Sequence, residues 1–285
     1  MTDFALDFLL HYGYLRGNSG SLAVSPSLAA TSLAKALADY QSAAGLTPTG
    51  EFDQATEAKM HVPRCGCLDV QRSVAEWSRW RKNSLTYKIT DYVGGLSKGD
   101  VDDLVRLAWT DWMNVADLKI APTTGTPDIV ISTGKGRADG FDGPGSTLAW
   151  AFLPSGDDGQ LLCRFDLDER WLKENPQNGI LFRNVACHEF GHLLGLEHSR
   201  NSNALMAPYY TPGIVNPQQA DDIPRIQALY GKATSPPANP PPQFPVPAGA
   251  IRFLKPLAAG QHGDIVLGSD AAAGDFGLGP VGVEE

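Results

Sequence analysis

Apolar positions along the chain recur with two periods, and the change from one to the other marks out its elements. A helical period predicts segments near 3–14, 27–44 and 53–60, a long amphipathic helix over "SKGDVDDLVRLAWTDWMNV" (97–115), a helix over 180–194 and another over 220–230. Alternation of apolar and polar residues predicts strands in "SLTYKIT" (84–90), "PDIVIST" (127–133), "STLAWAFL" (146–153) and "QLLCRFDL" (160–167). The runs "RGNSGSLAVSPS" and "GLTPTGEFD" separate the first three helices, with Thr49, Gly50 and Asp53 shaping a turn and a helix cap. From 232 onward the chain opens with "KATSPPANPPPQFPVP" and shows no amphipathic period long enough to build a core. The expected division is a helical part (1–75), a mixed α+β part (76–231) and a Pro/Gly-rich linker with a disordered tail (232–285).

Histidine placement changes the picture. Three of the six histidines, His188, His192 and His198, fall within "CHEFGHLLGLEH" (187–198). On a helix, His188 and His192 stand one turn apart on the same face. That spacing seats one Zn²⁺ at roughly 2.0–2.1 Å per nitrogen, with Glu189 beside it as general base. Gly195 lets the helix end and the chain turn back, bringing in His198 as a third ligand. Three protein ligands leave one coordination position open, which distinguishes a catalytic from a structural zinc site. A lone histidine on an apolar face is usually a core residue, but HExxHxxGxxH specifies five positions together.

With these motifs in place the chain resembles the matrixins, the matrix metalloproteinase family of metzincin zinc proteases. Met206 in "ALMAPYY" fits the family's methionine turn beneath the metal, and further likeness runs through "WRKNSLTYKI", "FDGPGSTLAWAF", "FDLDERW" and "DDIPRIQALYG", covering about 4–231. The resemblance implies an α+β catalytic domain, a twisted mixed five-stranded sheet with three helices. It implies a small three-helix, peptidoglycan-binding-like prodomain ahead of it. "PRCGCLD" (63–69) is similar to the cysteine-switch motif, PRCGxPD, in which a prodomain thiolate takes the open zinc position and keeps the enzyme latent. Cys65 is that thiolate, and Arg64 and Asp69 would pair to hold its loop. Leu68 departs from the family's proline and loosens a backbone constraint. Cys67 is an addition, and "CGC" also reads as half of a disulfide or an incidental metal site. With Cys65 assigned, Cys67, Cys163 and Cys187 form an odd set whose pairing the sequence leaves open.

The same resemblance implies a Ca²⁺ site from Asp142, Gly143, Gly145, Thr147, Asp166 and Glu169, against which stands a plain Gly-rich turn with solvated acids. A second zinc site of the family reads Arg137, Asp139, Trp150 and Arg164 here. Guanidinium and indole cannot ligate a cation, so one catalytic zinc is expected, with Asp139 paired to Arg164 or Arg137 instead. Substrate would run antiparallel along Leu148, Ala149, Trp150 and Ala151, with Leu148, Pro208, Tyr210 and the loop 211–219 walling the pocket beyond the scissile bond, while Trp150 reads equally as surface packing.

Composition bears on partners. Apolar residues make up 42% and charged residues 19%, with a net charge of −9, which disfavours nucleic acid; no apolar run approaches a membrane span. Partners are expected to be protein or peptide substrates, and the chain a monomer. The family implies secretion and an extracellular site of action, yet "MTDFALDFLLHYGYL" lacks a basic region and a small-residue cleavage site, so no signal peptide is expected in it. No hemopexin-like domain is expected after 231. The reading is a latent zinc endopeptidase in which Glu189 assists attack by zinc-bound water. The rival is a peptidoglycan-binding protein with a degenerate metallo-domain, which the intact His188, His192, His198 and Glu189 disfavour. A zinc amidase is weaker still, given the peptide-lining residues.

Overall fold

The computed structural model describes residues 3–15, 26–70, 79–156 and 159–234. The turn region 16–25, the expected junction near 75–76 and the tail from 235 to 285 lie outside these residues.

In chain order the elements are α1 (Asp3–His11), α2 (Pro26–Ala43), α3 (Gln54–Met60), β1 (Arg64–Cys65), β2 (Ser84–Ile89), α4 (Lys98–Met113), β3 (Lys119–Pro122), β4 (Ile129–Gly134), β5 (Thr147–Ala151), β6 (Leu161–Asp166), β7 (Trp171–Leu172), β8 (Ile180–Leu181), α5 (Phe182–Leu193) and α6 (Asp222–Tyr230). Every predicted helix and strand has a counterpart within a few residues. Local chemistry sets the helix starts: Asp53 accepts from Thr56 N at 2.7 Å, and Ser97 accepts from Asp100 N at 3.1 Å, each satisfying an otherwise orphaned donor. β1, β3 and the β7–β8 pair were not anticipated. At two to four residues they are too short to show a period, and β3 ends on Pro122 at the sheet's margin, where a missing N–H is tolerated.

The sheet runs β1-β5-β6-β4-β2-β3, and all its pairings are parallel except β5 with β6. Five of its strands, β2 to β6, form the mixed sheet that was expected; β1, from upstream, lies against the free edge of β5. Two hydrophobic clusters underlie this arrangement. The larger packs α4 and α5 against the sheet through Trp109, Trp112, Phe165, Phe182 and Phe190. The smaller gathers Phe8, Leu9, Leu37, Tyr40 and Met60 from α1, α2 and α3 and Tyr12 from just past α1, with Tyr209 packed against it.

Helix α5 is buried along nearly its whole length, so its position is set on every side. The Trp109 indole stacks on Phe190 with ring centroids 3.8 Å apart. Three donors fasten its carbonyls: Trp112 Nε1 to Cys187 O at 2.9 Å, Trp80 Nε1 to Leu193 O at 2.7 Å and Tyr230 Oη to Leu194 O at 2.9 Å. Gly191, in the last turn of the helix, costs up to about 1 kcal/mol of propensity relative to alanine. Its use lies in close approach: a Cβ there would stand 2.3 Å from Met206 Sδ and 2.9 Å from Trp112. Gly191→Ala is therefore expected to lower stability by roughly 1–3 kcal/mol, the usual cost of overpacking, despite the better helix former. Urea unfolding measures it, and a neutral or stabilised variant would mean that Met206 yields freely.

Candidate active site

His188 and His192 project from the same face of α5 with Nε2 atoms 3.2 Å apart. Each has its other nitrogen at a backbone carbonyl, His188 Nδ1 to Leu205 O and His192 Nδ1 to Leu196 O, both at 2.7 Å. A carbonyl can only accept, so Nδ1 carries the proton in each ring and Nε2 keeps its lone pair. Past Leu193 the helix closes in a Schellman turn. Leu196 N donates to Gly191 O at 2.9 Å and Gly195 N to His192 O at 2.8 Å, with Gly195 at φ 97°. His198 returns so that its ring lies 5.4 Å from that of His188 and 4.8 Å from that of His192.

Burial disfavours a charged imidazole here. It pushes His188 down to about 3 and lowers His192 and His198, with the neighbouring rings adding to the effect on His188 and His192. Neutral rings with free Nε2 atoms are what a borderline-soft cation requires. His198 Nε2 is a buried atom without a hydrogen-bond partner, which fits a donor set still lacking its acceptor.

The fourth group comes from β1. Arg64 N donates to Ser146 O at 2.7 Å, Cys65 N to Pro208 O at 2.9 Å and Gly66 N to Ala149 O at 2.8 Å, so this segment lies parallel along β5. Cys65 Sγ comes within 3.4 Å of His192 Nε2, and the ligand atoms of Cys65, His188, His192 and His198 all lie within 4.8 Å of one another. Burial, with Cys67 alongside, pushes the Cys65 thiol well up; a bound cation would be needed to hold it as thiolate. Arg64 is fully buried, its guanidinium 3.6 Å over the Tyr12 ring and 2.5 Å from Asp69 Oδ1. Burial alone would raise the Asp69 carboxyl, but Arg64 and His198 beside it hold it at about 2. Tyr14 Oη donates to Asp69 Oδ2 at 2.8 Å, and Asp69 N to Tyr12 O at 3.1 Å.

Glu189 is completely buried, with Oε1 unpartnered, and burial pushes its carboxyl up to about 8. Cys67, left unassigned by the sequence, stands over it: its Sγ is 4.0 Å from Glu189 Oε2 and donates to Ala151 O at 3.2 Å. Asp222 was missed altogether. Fully buried, it accepts from Leu205 N at 2.7 Å, Met206 N at 3.1 Å and Gln218 N at 2.9 Å, pinning the methionine turn below the histidines. An aspartate one residue into a helix reads as an ordinary cap, and nothing local in the sequence reveals the distant donors. All four cysteines are unpaired thiols, so none is half of a disulfide.

Leu148, Val185, Pro208, Tyr210 and Ile214 line a pocket beside His188 and Glu189, so the predicted wall residues Leu148, Pro208 and Tyr210 do meet there. Trp150 faces elsewhere: its Nε1 donates to Asp139 O at 2.8 Å. Arg164 pairs with Asp139, and Arg137 lies 3.5 Å from Asp7 instead. The expected calcium set is looser than the histidine centre. Asp142, Asp166 and Glu169 are not among the described groups whose ligand atoms all lie within 4.8 Å. Thr147 N donates to Asp142 Oδ1 at 3.2 Å and Gly145 N to Glu169 Oε1 at 2.6 Å, with Gly143 and Gly145 at positive φ. Burial and the charges of Asp166, Asp142 and Asp168 push Glu169 up to about 7, and Asp166 Oδ2 is buried without a partner.

Comparison with known proteins agrees with this geometry. The family profile "Matrixin" matches residues 79–231, and that of a "Putative peptidoglycan binding domain" matches residues 7–60. The chain is 39% identical over 240 residues to matrix metalloproteinase-19 of Homo sapiens, covering 80% of this chain and 45% of that protein. It is 43% identical over 208 residues to interstitial collagenase of Bos taurus, covering 70% and 44%. Matrix metalloproteinase-C of Caenorhabditis elegans is 38% identical over 218 residues, covering 69% and 37%. The chain thus spans about half the length, or less, of these relatives.

The acidic loop generates a pH prediction. Glu169 is raised in the folded state, so folding is penalised once it must ionise. Its contribution is intact below its ordinary pKa and is lost as pH rises toward about 7. In the absence of divalent cations the melting temperature should fall between about pH 5 and 7, and Glu169→Gln should flatten that slope. A slope unchanged in the variant would remove Glu169 as its source.

Proposed function

Because the chain belongs to the matrixin family, we propose that it is a zinc-dependent endopeptidase made as a latent zymogen. Its helical prodomain (1–75) would precede a catalytic domain (76–231), with 232–285 as linker and tail. The observation that carries this reading is the convergence of Cys65 on His188, His192 and His198, with buried Glu189 alongside.

His188, His192 and His198 would hold one zinc through Nε2, with the Cys65 thiolate as fourth ligand in the latent form. Zinc, when bound, supplies Lewis acidity that polarises a scissile carbonyl and acidifies water. Glu189 takes a proton at its carboxylate from the attacking water and passes it to the leaving amine. Its place next to His188 on α5, with Oε1 unpartnered beside the histidine centre, supports that role. The backbone groups of β5 at Ala149 and Ala151, now bonded to Gly66 and Cys67, would pair with an extended peptide once these residues leave, and the pocket beside Tyr210 would take the following side chain. β1 occupies that same edge, so the pro-segment must leave before substrate can bind.

Asp142, Asp166 and Glu169, with carbonyls near Gly143 and Gly145, would hold calcium, whose charge would relieve their repulsion. Arg137, Trp150 and Arg164 leave no second zinc. Protein substrates, a monomeric state and an extracellular site of action belong to the same proposal, and no described helix is long and apolar enough to cross a membrane. The rival reading of the first 75 residues as a glycan-binding module accounts less well for β1, which extends from that module into the histidine centre.

Three outcomes test the proposal. Glu189→Ala should abolish peptide hydrolysis while zinc content stays constant; retained turnover or lost metal removes the base role. Cys65→Ser should be active before any cleavage, because a hydroxyl ligates zinc far less well than a thiolate. Full latency in that variant would leave bulk alone as the block. Elemental analysis should give one zinc per chain, and calcium chelation should lower thermal stability; two tightly held zincs would overturn the lost-site argument.

A further inference from the structure

Two of the three imidazoles are oriented from within the catalytic segment, by Leu205 O and Leu196 O. His198 is oriented from outside it. Its Nδ1 lies 2.8 Å from Asp69 Oδ1 as a close ion-pair contact rather than an aligned hydrogen bond, and neither of its ring nitrogens has a hydrogen-bond partner among the described residues. The pair is secluded, with side chains 6% and 8% exposed. Asp69 is itself held from three sides, by Arg64 Nη2 on the same oxygen, by Tyr14 Oη on the other and through its own N–H to Tyr12 O.

We propose that Asp69 is a positioning residue for the metal centre: its carboxylate orients His198 through Nδ1, so that the pro-segment retains the metal as well as blocking it. The inference rests on the zinc reading above. A carboxylate at the far nitrogen fixes both ring rotation and tautomer, and it raises the basicity of the nitrogen left for the cation. Losing such a partner typically weakens metal binding by about 10- to 100-fold. His188 and His192 keep their carbonyl acceptors whether or not the pro-segment is present, because both acceptors belong to the catalytic segment. His198 loses its carboxylate contact when residues 64–69 depart. The latent chain therefore holds zinc with one more ligand and one more orienting group than the activated domain, and zinc is most easily lost after activation.

The test uses the full chain, stripped of metal and titrated with zinc against a chromophoric chelator. Asp69→Asn should bind zinc about 10- to 100-fold more weakly. Tyr14→Phe, which loosens the loop but keeps the carboxylate and Arg64, should bind as wild type does. Cobalt loaded into each protein reports whether Cys65 remains a ligand, through its sulfur-to-metal charge-transfer band. Weaker binding in Asp69→Asn with the band retained supports the proposal. Unchanged affinity overturns it, as does a loss accompanied by disappearance of the band or matched by Tyr14→Phe, since either would reflect undocking. A wild-type chain that binds no zinc would instead overturn the proposed function.

Discussion

The centre depends on how helix α5 stops. Were the helix to continue, His198 would lie ten residues beyond His188, about 15 Å along the axis. The turn at Gly195 brings the rings to 5.4 Å instead. Gly195 adopts φ 97°, a conformation an L side chain rarely accepts. The same turn presents Leu196 O to His192 Nδ1, so one reversal terminates the helix, returns the third imidazole and fixes the tautomer of the second. Asp222 performs the complementary task from below, since its three backbone donors hold the chain that offers Leu205 O to His188.

β5 supplies the second constraint, an edge with unpaired backbone groups that something must satisfy. β1 does so through Arg64 and Gly66. Beyond Gly66 the ladder passes to a side chain: Cys67 Sγ accepts from Ala151 N at 3.4 Å and donates to Ala151 O at 3.2 Å, standing in for the next rung. That thiol also lies over Glu189, so the segment covers this carboxyl as well as the histidines. Leu68, in place of the family's proline, removes one backbone restraint from this loop. The loop is nonetheless held on both sides of the thiols, by Arg64 under the Tyr12 ring and by Asp69 N and Val70 N on Tyr12 O.

Much of this was legible from the chain because it is local. The i, i+4 histidines, Gly195, the Asp53 cap and the four alternating strands follow from spacings of one to eight residues, and each predicted helix has its counterpart. What escaped is non-local. Asp222 is recognisable only by donors four to seventeen residues before it once folded, and while the pairing of Asp69 with Arg64 was expected, its contact with a histidine 129 positions on was not. Cys67 gains meaning from Ala151 and Glu189, neither of which any periodicity connects to it. Trp150 shows the reverse case. It was placed on a substrate-lining strand, and it does sit in β5, but strand alternation turns its indole to the other face, toward Asp139.

Two clusters near β5 and β6 illustrate how charge decides whether an ion is required. Asp139 is answered by Arg164, with the Trp150 indole bonded to its backbone carbonyl, so no residual charge calls for a cation. Arg164 and Asp139 remain 29% and 35% exposed, so solvent screens the pair and it adds little strength. Its importance lies in neutralisation rather than strength. A few residues on, Asp142, Asp166 and Glu169 have no comparable partner. Lys135 reaches Asp168 rather than this set, and Asp166 Oδ2 remains buried and unpaired. The first cluster is complete in its own side chains; in the second, burial and neighbouring acids raise Asp166 and Glu169, an excess of negative charge that an external cation would offset.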